Sequence, residues 1–239
     1  DALIYFFQPL GQDFFIIADL TSVASSFLAV VFGIYAYKSH QFSDVQGKAL
    51  FFLVLGIFLW FLGETTWAIY EMTSGQLVSA PTIADIFWIT AYPFFLVSLR
   101  YVWRLALWSI AKKWFILLVI ILLSVSLPLW YFSIPTLTDP SLSVAEKITT
   151  AGYILGDMLV LDALIIVIFY LIRSKLLKAW GLILLGMAFS TIADVLYTHT
   201  YLAYMSGNLI DVFWDLSYVT FAIAFFYYRT KWRRVLSRK

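Results

Sequence analysis

The chain of 239 residues contains no cysteine. Disulfide bonds, thiolate metal sites and cysteine nucleophiles are therefore excluded, and cysteine usage says nothing about the redox compartment. Charged residues are also scarce, at 13% of the chain against 63% hydrophobic residues, and the mean hydropathy is +0.90. Because soluble globular domains are only about half apolar, this composition excludes that class and predicts an integral membrane protein.

Histidine is scarce as well, since the chain has 2, His40 and His199. They fall on opposite sides of the predicted membrane, which excludes hydrolases that gather several histidines in one site. The last apolar stretch, residues 208–230, contains no lysine that could form a Schiff base, so a retinal-binding light receptor is excluded too. No catalytic residue is assigned, and we do not expect an enzyme.

Seven apolar stretches are long enough to cross about 30 Å of hydrocarbon as helices. Because the connectors are short, residues 1–239 are predicted to form a single all-α seven-helix transmembrane bundle. The first stretch is long enough to span, so we expect a retained first helix and an amino terminus processed or trimmed before Asp1. The stretches are residues 14–37, 49–71, 82–103, 114–132, 148–172, 179–204 and 208–230.

Charge sorting predicts the orientation of the bundle. Apart from Lys147, the 16 basic residues fall in or beside every second connector or in the carboxyl-terminal segment. Because Lys and Arg concentrate in cytoplasmic loops, the amino terminus is predicted outside and the carboxyl terminus inside, in a multi-pass protein of the cell membrane. The acids sort the opposite way, since only Asp44 of the 14 falls on the cytoplasmic side.

Nine acids lie inside the predicted helices. Asp85 and Asp211 stand at helix starts, where a carboxylate satisfies backbone amides that have no helical partner. That explanation fails for Glu64, Asp162 and Asp194, which lie further along their helices, where a charge costs at least about 2.5 to 3.5 kcal/mol in lipid. We therefore expect these three to face the interior. The nine are Asp19, Glu64, Glu71, Asp85, Asp157, Asp162, Asp194, Asp211 and Asp215.

The two halves of the chain repeat each other. Residues 49–92 align with residues 179–218, so that LGIFLWFLGETTW lies on LGMAFSTIADVLY. Chance similarity between apolar helices is the alternative, but charged residues and tryptophan are rare here, and common ancestry is favoured. The prediction is a parallel 3+1+3 repeat, with units 14–103 and 148–230 joined by a linking helix at 114–132. The matched pairs are Glu64 with Asp194, Trp67 with Tyr197, Asp85 with Asp211, Phe87 with Phe213, Trp88 with Trp214, Tyr92 with Tyr218 and, more weakly, Asp19 with Asp157.

The acid pairs of this repeat would surround a common outer cavity. So many buried acids cannot all be ionised, so some must share protons or bind a cation. Oxygen ligands suit calcium, sodium or protons, and His199 could add a nitrogen ligand for zinc unless it merely tops its helix. The candidate metal ligands are Glu64, Asp194, His199, Asp211 and Asp215.

Aromatic residues make up 20% of the chain, and belts at the two membrane interfaces explain most of them. The aromatic residues that the repeat places beside the acids have a different explanation. A carboxylate surrounded by aromatic faces can hold an organic cation or an apolar ligand with one polar group. Pro93 should kink the third helix beside this box. No resident cofactor is expected beyond such a cation. The predicted ligand-binding residues are Asp19, Glu64, Trp67, Asp85, Trp88, Tyr92, Asp157, Asp162, Asp194, Tyr197, Asp211, Trp214, Asp215 and Tyr218.

Two resemblances suggest functions. Parallel three-helix units joined by one helix resemble the arrangement of small sugar transporters of the SWEET type, which makes a proton- or cation-coupled small-solute transporter one hypothesis. The residues favour another: FLGETTWAIYE and PTIADIFWITAYPFFLVSL resemble the seven-helix amino-terminal membrane sensor region of prokaryotic signalling proteins, chiefly diguanylate cyclases and histidine kinases. The residues that carry this second resemblance are Glu64, Trp67, Glu71, Pro81, Asp85, Tyr92 and Pro93.

The second resemblance covers nearly the whole chain and implies a sensor that binds a cation or small ligand and signals to the cytoplasm. In that family the seventh helix continues into a cytoplasmic catalytic domain. Here KWRRVLSRK ends at Lys239, so we expect either a removed domain or a free-standing homologue. The expected partners are the lipid bilayer, the ligand and a cytoplasmic signalling domain or protein, with a second copy of the chain as a further candidate. Nucleic acid is not expected.

Overall fold

The computed structural model describes residues 14–74, 81–104, 112–200 and 207–236. Seven helices make up this part of the chain, and every predicted helix is confirmed. Most helices are a few residues longer than predicted, because hydropathy marks only the part that crosses hydrocarbon. The helices are α1 (Phe14–Tyr37), α2 (Val45–Ser74), α3 (Ile83–Trp103), α4 (Lys112–Thr138), α5 (Val144–Leu171), α6 (Leu177–Thr200) and α7 (Asp211–Leu236).

Six of these helices, α1 to α6, are long and apolar enough to cross a membrane. The seventh, α7, falls outside that group and carries Asp211, Asp215, Arg229 and Lys231 within its span. Large apolar side chains are exposed on the outside of the bundle, for example Leu127 at 61%. Exposing so many apolar side chains to water would be unfavourable. The all-α fold is therefore that of a multi-pass membrane protein.

The strongest helix contacts close a cycle. Passing around the bundle, α1 packs on α2, α2 on α3, α3 on α5, α5 on α6, α6 on α7, and α7 returns to α1. The remaining helix, α4, packs mainly against α5 and α6. Of its described side chains only Leu118 and Ser133 are buried, so α4 lies at the periphery of the cycle.

Aromatic rings fill the centre of the cycle. The Trp60 ring lies 4.9 Å from the Phe95 ring and 6.2 Å from the Phe221 ring, measured between centroids. All three side chains are at most 3% exposed. Gly56 and Gly186 make room for this packing, because a Cβ atom at either position would collide with Phe95 or Phe221 respectively.

The two ends of the bundle differ in charge. We call the acidic end the one formed by the starts of α1, α3, α5 and α7 and the ends of α2, α4 and α6. The opposite end, the basic end, carries the described basic residues with the exception of Lys147, which lies near the start of α5. Those at the basic end whose side chains are described are Lys38, Lys48, Arg100, Arg104, Arg173, Lys175, Lys178, Arg229 and Lys231.

Candidate functional site

A cavity of about 100 Å³ lies in the half of the bundle next to the acidic end, and all seven helices contribute to its wall. Five lining residues carry carboxyl groups, and none of the lining residues in the described part of the chain is basic. The lining residues are Asp19 and Ser22 of α1, Trp60, Glu64 and Trp67 of α2, Asp85, Trp88 and Tyr92 of α3, Thr136 of α4, Thr149, Thr150 and Tyr153 of α5, Ser190, Asp194, Tyr197 and Thr198 of α6, and Asp211, Trp214 and Tyr218 of α7.

Neutral donors hold Glu64 and Asp194, the two acids of the cavity wall that lie deepest in their helices. The Tyr218 hydroxyl donates to Glu64 Oε1 at 2.6 Å, and Trp88 is within hydrogen-bonding reach of the same carboxyl group. The Trp214 indole N–H donates to Asp194 Oδ1 at 3.0 Å. The predicted repeat pairs Glu64 with Asp194 and Trp88 with Trp214, and each of these two acids has its tryptophan within hydrogen-bonding reach.

A second group of contacts joins α3 to α5. The Tyr92 hydroxyl donates to Asp157 Oδ1 at 2.9 Å, and the Tyr153 hydroxyl donates to Asp85 Oδ1 at 2.7 Å. Gly156 allows the first of these bonds, because a Cβ atom there would collide with the Tyr92 ring. These bonds connect α3 to α5 across the cycle of helices.

The Asp157 carboxyl group is 2% exposed and lies within hydrogen-bonding reach of Asp194. Ionised carboxylates only accept hydrogen bonds. A direct bond between these two groups would therefore require one shared proton. Asp157 does not line the cavity itself but contacts it through Tyr92 and Asp194.

Asp85 and Asp211 also close the starts of their helices. Asp85 Oδ2 accepts from the Thr82 amide at 2.5 Å and from the Thr82 hydroxyl at 2.9 Å, in a capping box. Asp211 Oδ2 accepts from the Gly207 amide at 2.6 Å. The helix-start explanation for these two acids therefore holds, and both carboxyl groups still line the cavity.

Besides Asp157, two further predicted site residues do not line the cavity. We expected Asp162 to face the interior, but it is directed at the peripheral helix α4 and accepts from the Ser126 hydroxyl at 2.8 Å. Asp215 accepts from the Ser25 hydroxyl of α1 at 3.0 Å. Asp215 follows Asp211 by one turn, yet the cavity is lined by Asp211 alone of the two.

Metal binding by the predicted ligands stays a prediction. Among the described residues, no three His, Cys, Asp or Glu side chains are grouped so that they could hold a metal ion. The His199 side chain lies outside the described residues. Glu64, Asp194 and Asp211 line the cavity, whereas Asp215 is directed at α1.

Aromatic pairs form two walls of the cavity. The Trp67 and Trp88 rings lie 5.9 Å apart, and the Tyr197 and Trp214 rings, which the predicted repeat matches to them, lie 6.0 Å apart. Gly63 makes room for the first wall, because a Cβ atom there would collide with Trp88.

Trp60 closes the inner end of the cavity, which we call the floor. The Trp60 ring stands edge-on to Tyr92 and to Tyr218, at 6.1 Å from each. Its indole N–H donates to the Trp88 carbonyl oxygen at 3.2 Å. Because Pro93 has no N–H, the carbonyl of the residue that follows Trp88 has no helical donor. The floor is thus bonded to the segment of α3 where a kink is expected.

Several lining residues were not predicted. Trp60 and Tyr153 stand four positions before Glu64 and Asp157, so helical spacing already places each on the same face as an acid that was singled out. Thr136 belongs to the linking helix, and no sequence pattern marks it. The other unpredicted lining residues are Ser22, Thr149, Thr150, Ser190 and Thr198.

Comparison with known protein families, curated proteins and solved structures finds no match for this chain.

Proposed function

We propose that this protein is a membrane sensor whose cavity binds a cation or small ligand and signals to the cytoplasm through α3 and α7. The observation that carries the proposal is the composition of the cavity wall. All seven helices contribute, five carboxyl groups line it, and the described lining residues include no basic side chain. Acids inside a membrane are costly and mark binding or ion sites in membrane proteins.

The proposed orientation directs the acidic end outward and the basic end to the cytoplasm. The separation of the basic residues supports it, because Lys and Arg concentrate in cytoplasmic loops. This orientation includes α7 as a seventh crossing. The cavity would then receive an external ligand, and the end of α7 would carry the signal inside.

The proposed 3+1+3 repeat explains why α3 and α7 would respond. Its halves meet where α3 packs on α5 and where α7 packs on α1. Matching contacts in the two halves support the repeat: Gly56 with Phe95 corresponds to Gly186 with Phe221. A ligand bound between the halves would move α3 and α7 relative to the rest, provided that it binds the two arrangements with different affinity.

Ligand-dependent stability of the purified protein tests the proposal. We expect a cation to raise the thermal unfolding midpoint of the wild-type chain, because binding to the folded state alone stabilises it. The Asp194→Asn variant should lose most of this increase. Asp139→Asn is the matched control, since Asp139 lies in the connector before α5 and does not line the cavity. An equal response in both variants, or none in the wild type for any cation from low to neutral pH, would contradict binding in this cavity.

Transport is the second candidate. The helix cycle with a peripheral α4 supports it, because two parallel three-helix units joined by one helix would pack in this way. The aromatic packing beneath the cavity weighs against it in this conformation, because Phe95, Phe221 and Phe225 are at most 1% exposed. Solute or proton uptake into proteoliposomes that Asp194→Asn abolishes would establish transport. Stabilisation without any flux would support the sensor.

A further inference from the structure

We propose that the ligand of this cavity is a small alkylated ammonium ion, held between the two aromatic walls. This inference rests on the proposed function and narrows it to one chemical class. It follows from four features of the cavity: its charge, the engagement of its carboxyl oxygens, its aromatic walls and its size.

The charge of the wall selects a cation. Glu64 and Asp194 approach the cavity from α2 and α6, while Asp85 and Asp211 approach from the starts of α3 and α7. No basic side chain among the described lining residues balances them. Hydrogen bonds from Tyr and Trp stabilise these groups but supply no positive charge, so a negatively charged or strongly electron-rich ligand would be repelled.

The carboxyl oxygens are poorly disposed to bind a bare metal ion. Calcium takes six to eight oxygen ligands at once, in direct contact. Here both oxygens of Asp85 already accept hydrogen bonds, from Tyr153 and Thr82, and Glu64 Oε1 accepts from Tyr218. Acids held at the wall by neutral donors attract a diffuse cation without ligating it.

The aromatic walls suit such a diffuse cation. Trp67 with Trp88 and Tyr197 with Trp214 form two pairs that line the cavity beside the two deep acids. A cation within about 6 Å of an aromatic ring centre is attracted by the ring, and alkylated ammonium ions are commonly bound in this way. Methyl groups on the nitrogen also gain from contact with the rings, which a hydrated sodium ion cannot do.

The volume limits the ligand to a small one. A cavity of about 100 Å³ is somewhat smaller than the roughly 150 Å³ cavity that admits benzene. A trimethylammonium group fits this range, whereas a disaccharide or a nucleotide does not.

The test compares choline with its uncharged isostere 3,3-dimethylbutan-1-ol, and with sodium and calcium chloride, on the purified full chain in lipid nanodiscs. Binding is measured by calorimetry and by the fluorescence of the tryptophans that line the cavity. We expect choline to bind and the isostere to bind at least about tenfold more weakly, because it lacks the charge. Equal binding of the two would overturn recognition of a cation.

A matched set of variants tests the aromatic wall. Trp67→Leu should weaken choline binding by about five- to thirtyfold, and Trp67→Phe should retain most of the affinity because it keeps an aromatic face. Trp130→Leu is the control, since Trp130 lies on α4 and is 46% exposed. If Trp67→Leu binds choline as the wild type does, the ion does not lie against this wall and the inference is wrong.

The inference and the proposed function fail in different ways. Binding of calcium or sodium without choline would overturn the alkylated ammonium and leave a cation sensor in place. Binding of only the neutral isostere would leave a small-ligand site but no cation site. If none of the four compounds binds or stabilises the chain, both the ligand class and the proposed cavity function are rejected.

Discussion

Tyrosine hydroxyl groups hold several carboxyl groups inside the bundle. Tyr218 donates to Glu64, Tyr92 to Asp157 and Tyr153 to Asp85, over 2.6 to 2.9 Å. Each bond joins two different helices, so each contributes to the packing of the bundle as well as to the position of an acid. Side-chain hydrogen bonds between membrane helices contribute about 0.6 kcal/mol on average.

Replacing Tyr218 by Phe removes the hydroxyl donor and keeps the ring. We expect Tyr218→Phe to lower the free energy of unfolding by about 0.5 to 1.7 kcal/mol, measured by denaturation in mixed detergent micelles. Tyr131→Phe is the control, because the Tyr131 side chain is 70% exposed. Equal stability of both variants and the wild type would show that the bond to Glu64 is not needed for packing.

His40 forms a contact at the basic end that the sequence did not indicate. It lies in the connector between α1 and α2, and its Nε2 atom is 3.2 Å from the Tyr228 hydroxyl of α7. Partial burial lowers the pKa of His40 below 6.5, with Arg229 acting in the same direction and Asp44 opposing it. The folded protein therefore favours the neutral imidazole.

This lowered pKa predicts how stability depends on pH. Below pH 6.5 the unfolded chain binds a proton at His40 more readily than the folded protein does. Stability therefore falls as the pH drops toward the pKa of His40 in the folded protein. Above pH 6.5 the contribution of the neutral His40 side chain to stability is fully present. We expect the difference in unfolding midpoint between the wild type and His40→Gln to change as the pH falls below about 6.5, with the wild type losing more at acid pH. His199 is common to both proteins, so parallel curves would contradict the prediction.

At the scale of helices, glycines determine how closely neighbours approach. Gly56 of α2 faces Phe95 of α3, and Gly186 of α6 faces Phe221 of α7. A side chain at either position requires the facing ring to move, and that ring is fully buried. The contacts of α2 with α3 and of α6 with α7 therefore depend on these glycines.

We expect Gly56→Ala to reduce the free energy of unfolding by about 1 to 3 kcal/mol through overpacking. Gly181→Ala is the matched control within a helix, because a Cβ atom there meets no atom within 4 Å. That substitution should be neutral or stabilising by up to about 1 kcal/mol, since alanine favours the helix. Denaturation of both variants under the same conditions checks the difference, which should vanish if the α2–α3 contact is loose.

Peripheral α4 is attached to the cycle by few polar contacts. The Ser126 hydroxyl donates to Asp162 of α5, and the Thr136 hydroxyl donates to the Thr198 carbonyl oxygen of α6 at 3.2 Å. Most of the remaining described surface of α4 is exposed and apolar. Its side chains therefore interact mainly with lipid, and Asp162 is held at that boundary rather than in the cavity.

For the whole molecule, the separation of charge predicts which end faces outside. Because the chain has no cysteine, a single introduced cysteine reports on its own position. We expect a membrane-impermeant maleimide to label Pro140→Cys in intact cells, and to label Lys175→Cys only after the membrane is opened. Both positions are exposed, in connectors at the acidic and basic ends respectively. The reverse pattern would reject the proposed orientation.

The sequence by itself determined the helices and the acids available to the cavity. Long apolar runs define membrane-crossing segments locally, since each must satisfy its backbone hydrogen bonds within itself. The repeated acids and aromatic residues were visible for a similar reason, because rare residue types at matched spacing stand out in an apolar chain. Glu64, Trp88, Asp194 and Trp214 were predicted together on that ground, and all four line the cavity.

Only the tertiary structure decided which of those acids meet. Asp162, Asp215 and Asp194 are all acids within apolar helices, yet they face α4, α1 and the cavity respectively. The direction of each side chain depends on how its helix is rotated and on which neighbours surround it. Likewise, Trp60 forms the floor of the cavity, whereas the predicted repeat matches it with the small Ser190, which also lines the cavity. Long-range packing sets that choice, because Trp60 already lies against Phe95 and Phe221 at the centre of the cycle.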